Sequence, residues 1–141
     1  MIVLNINVVS EPLRSEPDAA VLAWLDAQAS ETLYLTSITV AELMAGVAVL
    51  PAGKRRNQLA QAMSQKVLPL FETRVLPFDL QAAHTFGDVR VAASASGNPI
   101  SFADCAIAAI AAVHGFAVAT RNVRDFRGTG IPVIDPWKAA A

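Results

Sequence analysis

The sequence predicts an α/β fold built on a central, mostly parallel sheet of four to five strands. Three observations predict it. Short apolar runs recur along the chain, each separated from the next by a stretch with helical spacing. Parallel neighbours need such crossover connections, so strands alternating with helices imply a parallel sheet. The chain has 141 residues, 54% of them hydrophobic and 16% charged. That length suits one core, so residues 1–141 are expected to form a single domain.

The first strand is expected at Met1 to Leu4, an unbroken apolar run closed by Asn5 and Asn7. In the middle of a parallel sheet, it would carry these two residues at its carboxyl end, where open α/β sheets bind their ligands. Ser10 to Glu16, with Pro12, reads as a loop or a single helical turn. Asp18 to Gln28 places Ala20, Val21, Trp24 and Leu25 at helical spacing. Leu33 to Thr36 is the second strand. Thr39 to Leu50 is a helix stopped by Pro51 and Gly53, with Thr39-Val-Ala-Glu42 matching a capping box. Lys54 to Leu70 is a further helix, with Leu59, Ala62, Met63, Val67 and Leu70 on one face and Pro69 disturbing its end. Together these two make a two-helix arm at about 39–70, an insertion expected to project from the sheet.

Arg74 to Pro77 is the third strand and Asp79 to Ser96 an Ala-rich helix ending at Gly97. Ser101 to His114 is the most Ala/Ile-rich helix and ends at Gly115. Ala117 to Thr120 is the fourth strand, Asn122 to Gly130 a polar loop, and Pro132 to Ile134 the last strand.

Composition narrows the function classes. Mean hydropathy is +0.43, and the charged fraction lies below the roughly 25% of an average domain. This surplus of apolar residues predicts a homodimer or another partner interface. No apolar stretch reaches the roughly 20 residues that span a bilayer. No signal-peptide pattern is present, so a cytoplasmic location is expected. Cys105 is the sole cysteine, expected as a small core residue. Net charge is −1, so any nucleic-acid contact must rest on a local basic patch. Arg121, Arg124 and Arg127 are the candidates for holding a phosphate backbone. Lys54, Arg55 and Arg56 read more simply as a solvated helix start.

The polar residues at strand ends and helix starts fall on one side of such a sheet. Asn5, Glu42, Asp104 and Asn122 or Asp125 are placed to meet at one cleft. Glu42 and Asp104 are embedded in apolar sequence, so burial would leave them in need of a partner. A set of hard oxygen ligands suits Mg²⁺ or Mn²⁺. His84 and His114 stand apart, and no zinc pattern is present.

Five stretches, MIVLNINVVSE, SITVAELMAGV, ISFADCAIAAIA, VATRNVRDF and IPVIDPW, occur in this order over essentially the whole chain. The sequence thereby resembles the PIN-domain ribonucleases, in particular the VapC/FitB-type toxins of bacterial toxin–antitoxin pairs. The resemblance implies a three-layer αβα sandwich and Mg²⁺- or Mn²⁺-dependent endonucleolytic cleavage of RNA. By position it assigns metal-binding acids to Glu42 and Asp104, the residue after the fourth strand to Asn122 with Asp125 nearby, the strand-end hydroxyl to Thr120 and a helper amide to Asn7. It implies a homodimer and a small DNA-binding antitoxin that wraps the 39–70 arm and blocks the cleft.

One departure lies at the centre. The family opens with Asp-Thr-Asn, and this chain has Asn5-Ile6-Asn7. An amide oxygen can coordinate a hard cation but brings no charge. Two unit charges about 4 Å apart interact by about 4 kcal/mol at an effective dielectric of about 20. Weakened metal binding and attenuated cleavage are therefore expected. The alternative is a non-catalytic subunit that binds the antitoxin and acts in operon co-repression. A receiver domain or a haloacid-type phosphatase would need a strand-end Asp and Lys, which the first strand does not offer.

Overall fold

The computed structural model describes residues 1–138; the last residues of the Ala-rich tail lie outside the described part. Five strands, β1 (Ile2–Leu4), β2 (Leu33–Thr36), β3 (Val75–Leu76), β4 (Ala117–Ala119) and β5 (Val133–Ile134), form one sheet in the order β3-β2-β1-β4-β5. Every pairing is parallel, with Ile2 opposite both Leu33 and Ala117, Leu35 opposite Val75 and Val118 opposite Val133. β1 is central, as its unbroken apolar run requires. Val3 faces one core with Val118, Ile107 and Phe126, and Leu4 faces the other with Ala119, Leu35 and Leu43. A strand covered on both faces has no reason to alternate.

Among the described residues, seven helices flank the sheet. On one side lie α1 (Ile6–Val9), α2 (Ala19–Ala27), α3 (Ser37–Ala48), α4 (Lys54–Ala62) and α5 (Leu68–Leu70). On the other, α6 (Leu80–Ala95) and α7 (Phe102–His114) pack closely together. The seven consecutive residues Cys105 to Ala111 of α7 are all buried. Their small side chains let this helix sit hard against the sheet. Cys105 is fully buried, as expected of a core residue. Gly115 ends α7 at φ 70°, the left-handed conformation that glycine adopts without a steric penalty.

Three details depart from the sequence-based expectation. The residue after β1 does not extend the strand. The Asn5 side chain accepts a hydrogen bond from the Ile6 backbone N–H at 2.6 Å and caps α1, so Asn7 lies on a helix and not at a strand end. The helix expected from Thr39 starts at Ser37, because Thr36, the last residue of β2, is itself the cap. Its hydroxyl accepts from the Thr39 N–H at 3.1 Å. The capping box is therefore not formed at Thr39, and Glu42 lies in the second turn of α3, not the first.

The 39–70 arm, finally, projects only in part. α3 buries Thr39 and Leu43, and the chain returns to the core at Met63, Val67 and Phe71. Only α4, which buries no residue, stands off. Helix runs without a break from Lys54 to Leu70 through a π turn at Met63–Val67, where the Leu68 N–H bonds the Met63 carbonyl. This wider turn precedes Pro69, whose ring crowds the preceding helical turn and which lacks an N–H to give it.

Candidate active site

Strand order reverses between β1 and β4, with β2 and β3 to one side and β5 to the other. Such a switch point opens a crevice beyond the carboxyl ends of the two central strands. The crevice here carries Asn5 after β1 and Thr120 after β4, both buried. The Asn5 N–H is tied to the Ala119 carbonyl at 2.9 Å and the Thr120 N–H to the Ile134 carbonyl at 2.9 Å, so both positions are fixed by the sheet itself.

Two helices bring acids to this crevice. α3 delivers Glu42. α7 delivers Asp104 from its first turn, where the Ser101 hydroxyl caps the helix by accepting the Asp104 N–H at 3.1 Å. Burial, and secondarily the Asp104 charge, raise the Glu42 carboxyl above its ordinary value. Burial also raises Asp104. A hydrogen bond from Ser101 opposes that, Asp125 adds repulsion, and the Asn5 amide holds the value down again. One oxygen of Glu42, Oε1, is buried without a hydrogen-bond partner. A buried unpaired carboxylate oxygen is costly, and two neighbouring carboxylates with raised values need a positive partner.

This donor set fits a hard divalent cation at Glu42 and Asp104. It fits less well at Asn5. The Asn5 oxygen is engaged by the Ile6 N–H, and the side chain brings no charge to the acids. Among the described residues, no three His, Cys, Asp or Glu side chains converge into a metal cage. The position where the resemblance expects an acid holds a neutral amide instead.

A second chain of polar groups runs beside the acids. Asn7 on α1 accepts from the Arg121 N–H at 3.1 Å and donates weakly to the Thr120 hydroxyl at 3.4 Å. That hydroxyl also accepts from the Asn122 N–H at 3.1 Å. Asn7 and Thr120 thus shape the turn leaving β4. Asp125 lies in a 3-10 turn at Val123–Phe126, close enough to Asp104 to raise it. The Asn122 side chain is not drawn into the acid pair; with Asp125 it lines a neighbouring pocket containing Arg121, Arg124 and Arg127. Arg55, at the expected solvated helix start, lines a cleft shared with Glu42 and Arg14.

Sequence reasoning passed over three supporting residues. Ser101 was visible only as the start of a capping pattern. Asn98 donates from its amide to the Arg124 and Arg127 carbonyls at 3.0 and 2.9 Å, a contact over more than 25 positions with no local signal. Trp137 carries the Arg121 guanidinium over its ring at 5.1 Å, which nothing in the spacing of the two residues announces.

Residues 2–131 match the PIN domain family. VapC ribonuclease Y4jK of Sinorhizobium fredii is 52% identical over 140 residues, which is 99% of this chain and 100% of that protein. Toxin FitB of Neisseria gonorrhoeae is 46% identical across 97% of this chain and 99% of its own. The crystal structure of FitAcB from the same organism gives a TM-score of 0.93 at 46% identity, covering 98% of this chain and 99% of that one. A FitAB structure bound to a DNA fragment gives 0.95 at 45% identity, covering 100% and 99%. The chain belongs to the PIN-domain family, in its group of VapC/FitB-type toxins.

Proposed function

We propose that this chain is an Mg²⁺- or Mn²⁺-dependent endoribonuclease toxin whose cleavage is attenuated by Asn5. The observation that carries the reading is the partnerless Glu42 Oε1 beside Asp104 at the sheet's switch point. When bound there, a divalent cation would supply polarisation of the scissile phosphate and a lowered pKa for an attacking water. Glu42 and Asp104 would hold the ion. Asn7 and Thr120 fix the turn leaving β4 beside the cleft, and Asn122 and Asp125 lie in the neighbouring pocket. Asn5 brings no charge, and its side-chain oxygen already accepts the Ile6 N–H.

The neutral side chain at position 5 favours a second reading, a non-catalytic subunit that binds an antitoxin and acts in operon co-repression. The relatives are solved as FitA–FitB complexes, one of them on DNA, and a cognate small DNA-binding antitoxin is proposed for this chain as well. An apolar groove of about 400 Å³ between α3 and α4, lined by Met44, Val47, Ala60, Met63 and Leu68 with Arg56 at its edge, offers such a segment a seat. A homodimer is also proposed, since Leu80, Val91 and Phe102 stand exposed on the α6–α7 side.

Cleavage of total RNA in Mg²⁺ or Mn²⁺ tests the two readings. Weak cleavage by this chain, a large gain in Asn5→Asp and none in Asp104→Asn support the nuclease. No cleavage by Asn5→Asp would establish the binding subunit instead.

A further inference from the structure

The acid cleft does not account for the pocket beside it. Arg121, Arg124, Arg127 and Lys138 line a cavity of about 590 Å³, together with Asp125 and Asp135. Four cations face two carboxylates there, in a chain of net charge −1. None of the four makes an ion pair among the described residues, where Arg14–Glu11 is the salt bridge found. Cations left unpaired in a concave, positively biased pocket attract an anion.

The walls are held in place from outside the pocket. Asn98 grips the carbonyls of Arg124 and Arg127. Gly128 lies so close to Ser96 that an added Cβ would meet its side chain at 2.6 Å. Arg121 is spread over the Trp137 ring, and the Trp137 backbone N–H donates to the Asp135 carboxylate at 2.9 Å. Side chains ordered in advance lose less entropy on binding. Asp125 is common to both places: it lines this pocket and raises Asp104. The basic pocket therefore adjoins the acid cleft across a single side chain.

We infer that the pocket of Arg121, Arg124, Arg127 and Lys138 is a separate phosphate subsite, seating a backbone phosphate of the RNA that flanks the bond presented to Glu42 and Asp104. The identity of the polymer rests on the nuclease reading; the anion site rests on the pocket alone. Asn98 is a positioning residue for it. Arg guanidinium groups grip phosphate oxygens in pairs, and a contact to the backbone sets register without reading the base.

The test is binding of a fluorescently labelled 12-nucleotide RNA to the full chain in EDTA, followed by anisotropy from 50 to 300 mM NaCl. For single strands the slope of log affinity against log salt is about −0.7 per phosphate neutralised. Arg124→Gln/Arg127→Gln is expected to lower affinity at least fivefold and to flatten the slope by about 1.4. Asn98→Ala is expected to lower affinity while leaving the slope nearly intact, which separates placement from charge. Lys54→Gln/Lys66→Gln, with as many charges removed on the far helices, is expected to change neither. Unaltered affinity and slope in the Arg124/Arg127 variant would overturn the inference, as would an equal loss in the Lys54/Lys66 control or no RNA binding by the parent chain. Retained RNA affinity with lost antitoxin affinity would also overturn it and give the pocket to an acidic protein segment. Because no metal is present, failure here is distinct from failure of cleavage by Asn5→Asp.

Discussion

At the scale of single residues, Glu42 and Asp104 are set up to be uncomfortable. Both carboxyls are raised by burial above ordinary values of 4.5 and 3.8. Below those values, folded and unfolded chains are both protonated at these positions and neither group affects stability. As pH rises past them, the unfolded chain releases its protons first, so the unfolded state gains and the metal-free protein loses stability until the folded groups ionise too. Glu42→Gln is thus expected to melt at the same temperature as the parent near pH 3.5 and at a higher temperature at pH 7, with no metal present. Thermal melts of the two proteins across that range check it, and a gap that shrinks with rising pH would contradict it. Thr120 makes a different kind of contribution. Its hydroxyl is fully buried between the Asn7 amide and the Asn122 N–H, so Thr120→Val is expected to cost about 1–2 kcal/mol in a denaturant titration, mainly through the stranded N–H. The two acids were singled out because each sits in apolar sequence, Asp104 in the first turn of its helix and Glu42 in the second. Asn5 as the cap of α1 was not legible, because only the folded chain brings the Ile6 N–H onto its side-chain oxygen.

At the scale of elements, the strands and most helix starts were legible almost to the residue, and the start of α3 and the short α1 were not. Leu33–Thr36 is both the expected and the observed β2, since a short β-branched and aromatic run bounded by polar residues has few alternatives. The misplaced start of α3 has a specific cause. Thr36 and Thr39 are both hydroxyl residues at cap spacing, and the strand feeds the helix without a linker, so the earlier one wins. Thr36→Val keeps the shape, removes the cap and leaves the Thr39 N–H buried without its partner. It is expected to cost about 1–2 kcal/mol, read as a lower denaturation midpoint. The loop after β4 carries more structure than its polar sequence suggests. It buries Phe126 and holds Gly128 at φ 84° against Ser96. Gly128→Ala meets both a positive φ and a clash and is expected to destabilise by at least about 1 kcal/mol. Thermal melts alongside Gly46→Ala, where an added Cβ meets nothing within 4 Å, give the comparison.

At the scale of the whole molecule, the sheet order makes the site. A central β1 with its crossovers on both sides brings residue 5, the acids of α3 and α7 and the turn after β4 to one crevice, although the first and last of them lie more than 100 positions apart in the chain. This convergence was predictable from strand alternation, because all parallel strands end on the same side. The long-range clamp of Asn98 was not, since no local pattern encodes it. On the proposed reading, Glu42 and Asp104 hold the divalent cation and the neutral Asn5 stands where the resemblance expects a third charge. The most direct test is calorimetric titration of Mn²⁺ into this chain and into Asn5→Asp, both metal-free at the start. The account predicts binding at least tenfold tighter in Asn5→Asp, abolished in Asn5→Asp/Asp104→Asn. Equal affinity in this chain and in Asn5→Asp would contradict it.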